Sequence, residues 1–254
     1  MLGESLIINQ QSSVLSSSAR MQRDHSSLLT PYLYLPSSIP LVDELIGGFK
    51  AKTITYLYGD RSCISHMPYD LCLQTYALFE GISVFVDGGT SMNPYILSHY
   101  AKHHDLSQWE LLRHVQVSRA FTLHQFHYIV HEHLEPLINT HQPYTIIFHA
   151  FPLLYLDQDV SFHEAKTLFS STCSTIKKLT RTYDLITLIT NPFSHHRGGG
   201  ESFHQMLFNC CDEPICIRQM KHCPRVELPR YQQAATMVQG TSGQLCLPDF
   251  GMVM

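Results

Sequence analysis

The feature that most constrains this chain is a series of short apolar runs separated by stretches of helical length. Thr53-Ile54-Thr55-Tyr56-Leu57-Tyr58 is β-branched and aromatic, and Gly59 closes it. Ser83-Val84-Phe85-Val86 is closed by Asp87-Gly88-Gly89, and residues 114–118, 144–149 and 185–190 form three further runs. Runs this short, rich in Val, Ile and aromatic residues and bounded by Gly, Asp or Asn, read as strands. The spacing predicts helices over 68–80, 94–104, 121–137 and 162–182, with Pro68 at a helix start. Strands that are apolar on both faces and separated by helices imply a mostly parallel α/β sheet flanked by helices on both sides. Residues 215–228 suggest a closing hairpin, and no internal repeat is visible.

A length of 254 residues with 44% hydrophobic residues suffices for one large domain with a sizeable core. Residues 1–30 are rich in Ser and Gln and read as a flexible tail. Residues 31–231 are expected to form the core and 232–254 a C-terminal tail. The formal net charge of -4 rules out a global basic field of the kind that announces a nucleic-acid binder, so any anion site is local. Seventeen histidines match the 17 Lys and Arg in number, which makes the surface charge sensitive to pH between about 6 and 7. There is no apolar leader and no uncharged run of the ~18 residues a membrane span needs. The eight cysteines therefore read as reduced thiols of a cytoplasmic or nuclear protein with no membrane partner.

In a parallel sheet, ligands sit beyond the carboxyl ends of the strands. That rule points to four loops, at 59–66, 87–93, 150–160 and 191–203. The segments around them resemble the RecA/RadA recombinase superfamily over roughly Ile39 to Leu228. Ile39-Pro40-Leu41-Val42-Asp43-Glu44-Leu45-Ile46-Gly47-Gly48-Phe49 is similar to the stretch before the family's phosphate loop. Asp87-Gly88-Gly89-Thr90-Ser91-Met92-Asn93-Pro94-Tyr95 is similar to the segment after its second core strand. Val117-Ser118-Arg119-Ala120-Phe121 with Gln125 resembles a distinctive family element, and Leu188-Ile189-Thr190-Asn191 the strand that ends at its nucleotide-sensing position. The resemblance implies a RecA-like fold. It also implies a structural role for Asp87, Arg119, Phe121, Gln125 and Asn191, with Phe121 packing a helix start and Arg119 tying loops through carboxylates such as Asp87.

The departures from the family carry as much information. A phosphate loop reads G-x-x-x-x-G-K-[ST], and the aligned stretch here is Gly59-Asp60-Arg61-Ser62-Cys63-Ile64-Ser65-His66. Ile64 stands where the second glycine lets amides wrap phosphates. Ser65 replaces the lysine and His66 the magnesium-holding hydroxyl. His149 replaces the family's metal-orienting acid, where a protonatable imidazole would repel Mg²⁺ or compete with it, and the water-activating glutamate expected near Gly88 or Gly89 is absent. What is left of a cofactor site is Gly59, Arg61, Ser65 and His66, with Arg61 placed to meet an anion at a helix start.

The loop Asn191-Pro192-Phe193-Ser194-His195-His196-Arg197-Gly198-Gly199-Gly200-Glu201-Ser202-Phe203 lies where the family carries a mobile DNA-binding loop. Its glycines give reach, Arg197, His195 and His196 offer charge, and Phe193 and Phe203 offer faces on which unstacked bases can stack. His124, His127 and His131 read as the solvated side of the helix whose core face is Phe126, Ile129, Val130, Leu134 and Leu137. Cys210, Cys211, Cys216, His222 and Cys223 contain no C-x-x-C pair, and the alternation in Ile215-Cys216-Ile217-Arg218 suggests ordinary strand cysteines in a closing hairpin, so no metal site is expected.

The resemblance thus implies a non-catalytic recombinase paralogue that needs no cofactor. It would assist homologous recombination and repair through DNA, single strands in preference, or through another recombinase-family protein, with oligomer formation open. The alternative is a nucleotide-binding ATPase of the same family with a rebuilt phosphate site that takes ATP and Mg²⁺ with Arg61, Lys50 or Lys52 in place of the lost lysine. A metal-dependent enzyme built on the histidine helix is a more distant third reading.

Overall fold

In a computed structural model, which describes residues 34–37, 39–192, 200–220 and 224–236, the chain enters through β1 (Tyr34–Leu35), α1 (Pro40–Ile46) and β2 (Phe49–Lys50). Strand β3 (Thr53–Gly59) leads into a single helical turn, α2 (Arg61–Ile64), and then α3 (Met67–Phe79). Next come β4 (Ser83–Asp87), α4 (Pro94–His103), α5 (Gln108–Arg113) and β5 (Val115–Arg119). Helix α6 (Leu123–Tyr128) passes through a π-helical stretch, Ile129–His133, into α7 (Leu134–His141). Strand β6 (Thr145–His149), a 3-10 segment (Phe151–Leu156), α8 (Phe162–Thr182) and β7 (Ile186–Asn191) follow. Helix α9 (Gly200–Cys210) then precedes β8 (Glu213–Gln219), β9 (Pro224–Leu228), a 3-10 turn (Pro229–Tyr231) and β10 (Gln233–Thr236).

Eight strands form one sheet in the order β10-β9-β8-β3-β7-β6-β4-β5. The stretch from β8 to β5 is parallel throughout, and β9 and β10 add antiparallel pairs at one end. This is the expected RecA-like α/β sheet with its closing hairpin. β10 continues the sheet beyond residue 231, into the stretch read from sequence as a tail.

Two apolar layers cover the sheet. On one face Leu57, Phe85, Ile147 and Leu188 pack with Ile64, Leu71 and Leu97 from α2, α3 and α4. On the other, Tyr56, Val86, Phe148 and Ile189 pack with Phe126, Phe169 and Phe203 from α6, α8 and α9. The alternation of neighbours such as Tyr56 and Leu57 between the two layers follows from the two-residue period of a strand. It also explains why these strands read as continuous apolar runs. Each fully buried large side chain contributes about 1.5–3 kcal/mol relative to exposure.

Two helical boundaries differ from the sequence reading for local reasons. The helix expected from residue 121 starts at Leu123, because Thr122 caps it by accepting from the Gln125 amide (3.2 Å). Helix α9 begins at Gly200, inside a segment read as loop through Phe203; a run of three glycines hides a helix start, since glycine disfavours a helix interior but is tolerated at its end.

Candidate functional site

The loop in the phosphate-loop position is a closed turn. Gly59 has φ 135°, and a Cβ there would meet the Ile217 carbonyl oxygen of β8 at 1.9 Å. The one glycine that survives from the family motif is thus required by a neighbouring strand. The Asp60 amide donates to that same carbonyl (2.9 Å), and the Asp60 carboxylate accepts from the Gln219 amide (2.6 Å). The Asp60 carbonyl accepts the amides of Cys63 (2.9 Å) and Ile64 (3.2 Å), and the Arg61 carbonyl accepts that of Ser65 (3.0 Å). Ile64 is wholly buried and belongs to the core layer under α3.

His66 precedes helix α3 as its N-cap, and its carbonyl accepts from the amides of Tyr69 and Asp70. Ser65 Oγ, His66 Nδ1 and Asp70 Oδ2 are buried without a hydrogen-bond partner. His66 Nε2 lies 3.9 Å from Asp70 Oδ2. Burial holds His66 uncharged by lowering it to about 4, and it raises Asp70 to about 7.

Across the sheet, His149 ends β6 with its Nδ1 2.6 Å from Thr190 Oγ1. Burial lowers it to about 4, with nearby Asp87 opposing and Arg61 reinforcing the shift. Burial favours the uncharged ring, so of the two effects expected of His149 on Mg²⁺, repulsion by charge and competition with it, burial opposes the first. Asn191, in the family's sensing position, donates from Nδ2 to Tyr56 Oη (3.2 Å), and Tyr56 Oη lies 2.8 Å from His204 Nδ1 on α9. Asn191 Oδ1 is buried without a hydrogen-bond partner.

Asp87 is fully buried and accepts from the amides of Gly89 (3.0 Å), Ser91 (3.4 Å) and Met92 (2.9 Å). Arg119 Nε meets it at 3.2 Å, and Arg119 Nη2 donates to the Met92 carbonyl (2.9 Å). This Asp87–Arg119 tie shapes the loop from β4 to α4. The glutamate position stays empty of side chain, since a Cβ on Gly88 would come 2.6 Å from Phe151 Cα. Gln125 Oε1 accepts from the Phe121 amide (2.8 Å). Phe121 itself is 64% exposed. Its expected packing role is corrected: Leu123 and Phe126 fill the core beneath α6 and leave Phe121 outside.

Phe193, His195, His196, Arg197, Gly198 and Gly199 lie outside the described residues. Phe203 is described and does not suit base stacking. It sits one turn into α9 at 1% exposure, packed on Phe169 (ring centroids 4.8 Å) and Tyr155 (5.9 Å). His127 and His131 also depart from expectation. They face α8, with His127 Nδ1 3.0 Å from Thr172 Oγ1 and His131 near Ser171 and Thr175. Of the cysteines, Cys216 lies in β8, whereas Cys210 and Cys211 are at the end of α9.

Sequence reasoning missed one surface. β5 is the outermost strand, and Val117 on it (45% exposed) and Phe121 just after it are apolar and open. Trp109, on the helix that leads into β5, is 76% exposed. Val117 was in view as part of a family motif, but position at a sheet edge is not encoded locally.

A parallel sheet centred on β3, helices on both faces and a turn of phosphate-loop length after β3 define a RecA-like α/β domain. A family model described as Rad51 matches residues 36–230, most of the chain, and the chain belongs to that family. It is thus a recombinase-related protein. No curated protein sequence matches it.

Proposed function

We propose that this chain is a non-catalytic Rad51-family protein, an accessory factor in recombination and repair that works through its surface and without nucleotide. The closed turn at 59–66 supports this reading most directly. Phosphate loops bind by turning free backbone amides toward the ligand. Here the amides of Asp60, Cys63, Ile64 and Ser65 are bonded to protein carbonyls. Neither Ser65 nor a neutral His66 supplies the positive charge that the missing lysine would bring. The residues do not fit a nucleoside triphosphate with its magnesium ion.

With no nucleotide to hold, the surface in view is the β5 edge, and the sequence separately marks residues 193–199 for DNA. Among the described residues β5 is an edge strand, and an edge with apolar side chains is suited to strand addition by a protein partner. We favour a recombinase-family protein there over DNA, because the net charge is -4 and the 193–199 loop has one permanent positive charge, Arg197.

The test is titration with labelled ATP and Mg²⁺, paired with thermal melts. We expect no saturable binding, no turnover, and no change in Tm at millimolar nucleotide. A ligand at 100 times its Kd would raise Tm by roughly 5–10 °C in a domain of this size, and such a shift sinks the proposal in favour of a rebuilt ATP site. A labelled single-stranded oligonucleotide separates the two kinds of surface. Binding that falls with salt, strengthens from pH 8 to 6 and is lost when His195, His196 and Arg197 become Ala assigns the work to the loop and DNA.

A further inference from the structure

On the sheet face covered by α8 and α9, three cysteines meet that the site above does not use. Cys173 lies midway along α8, Cys210 is the last residue of α9, and Cys211 follows it. Cys210 Sγ lies 3.7 Å from the Cys173 carbonyl oxygen, to which its S–H donates. Cys173 is 6% exposed and Cys211 2%, while Cys210 is half-buried, so Cys210 is the member an oxidant meets first. Lys177, one turn beyond Cys173 on α8, donates to the Cys210 carbonyl (3.3 Å), and Arg181 is one turn further on. Contact with Cys173, helped by the Lys177 and Arg181 charges against the effect of burial, lowers the Cys210 thiol from its ordinary value. The same contact, with burial, pushes Cys173 up. The more exposed Cys210 is placed to react first, with the buried Cys173 beside it to resolve the product, the arrangement of a reactive and a resolving cysteine.

We propose that Cys173 and Cys210 form a redox-active dithiol that closes into a disulfide joining α8 to α9 when a peroxide oxidises Cys210. In the first step the Cys210 thiolate attacks one peroxide oxygen. An S–O bond forms, the O–O bond breaks, and the hydroxide that leaves takes up a proton as water. In the second step the Cys173 sulfur attacks the Cys210 sulfenic acid. The S–S bond forms, the S–O bond breaks, and the departing oxygen leaves as water with the Cys173 proton. Each cysteine sulfur gives up one electron, and the two electrons reduce hydrogen peroxide to water. The closed ring contains β7 and residues 193–199, so the cross-link fastens the element that follows that loop to the helix that precedes β7.

The experiment treats the full chain with a small excess of hydrogen peroxide, blocks remaining thiols with N-ethylmaleimide in denaturant, and maps the peptides by mass spectrometry. We expect a Cys173–Cys210 linked peptide, two hydrogens lighter than its parts, that disappears with dithiothreitol. Cys173→Ser should leave a Cys210 sulfenic acid that dimedone traps, while Cys211→Ser should keep the cross-link. Lys177→Met should slow the reaction several-fold at neutral pH, with the difference vanishing once the thiol is fully ionised. The unmodified protein decides the matter even if a variant folds poorly. Pairing of Cys210 with any other cysteine, or peroxide treatment that leaves Cys173 and Cys210 both free for alkylation, overturns the proposal.

Discussion

At the scale of single residues, buried titratable groups are the most exposed to test. His66 and His149 are held neutral down to about 4. As pH falls from 6.5 toward 4 the unfolded chain takes up protons at these positions and the folded one does not, so stability is lost in that window. Asp70 acts in the opposite direction. Its carboxyl, raised to about 7, keeps its proton in the folded state from the ordinary carboxylate range up to neutrality, so its contribution is lost as pH rises through 7. Asp70→Asn removes this cost and leaves the histidines alone. We expect the variant to be more stable than the parent at pH 8 by about 1–3 kcal/mol, with a smaller difference at pH 5, read from urea midpoints. A variant less stable at pH 8 would mean that the carboxylate has a partner. Asp87 offers a second comparison. Asp87→Ala strands three backbone amides and Arg119, at a cost of about 3–5 kcal/mol. Arg119→Ala should cost no more than about 1 kcal/mol, because that side chain is 38% exposed and Asp87 keeps its amides.

Among the elements, the short turn α2 separates this chain most clearly from a nucleotide-binding relative. Ile64 is a core residue here, at 0% exposure. Writing Gly, Lys and Thr at positions 64–66 restores the motif on paper. It should cost about 2–5 kcal/mol through the lost apolar packing, and should leave Mg²⁺-ATP turnover at background, since His149 and Gly88 supply no carboxylate. Urea denaturation and a phosphate-release assay check the two halves separately, and recovered turnover would show that the turn alone had silenced the site. The phosphate-loop position and the missing lysine were legible in the sequence because they are a matter of residue identity at fixed spacing. The burial of Phe203 was not, because three glycines conceal the start of α9 and its inward face is set by Phe169 and Tyr155, far away in the chain.

For the whole molecule, the sheet order decides where a partner can add. Among the described residues β5 has a neighbour on one side only, while the opposite end is closed by the antiparallel β9 and β10. Val117→Lys combined with Phe121→Asp should abolish a complex with a purified Rad51-family protein in analytical ultracentrifugation and leave the melting temperature within a few degrees. These side chains are exposed and bear no core contacts, and charge on an edge opposes strand addition. A complex that persists would place the interface elsewhere.

By itself the sequence determined the elements and which residues stand at the phosphate-loop positions. Strand period, helix length and the identity of residues 59–66 and 149 are local properties, readable wherever neighbours in the chain are also neighbours in space. Tertiary structure alone decided what those residues touch. Gly59 is needed because β8 arrives from far along the chain to within a Cβ's width. His149 is neutral because the packed sheet removes it from water. Phe121 lies outside because Leu123 and Phe126 occupy the core. Cys173 and Cys210 meet because α8 and α9 pack on the same face of the sheet. Long-range packing brings these partners together, and no spacing within the chain records it.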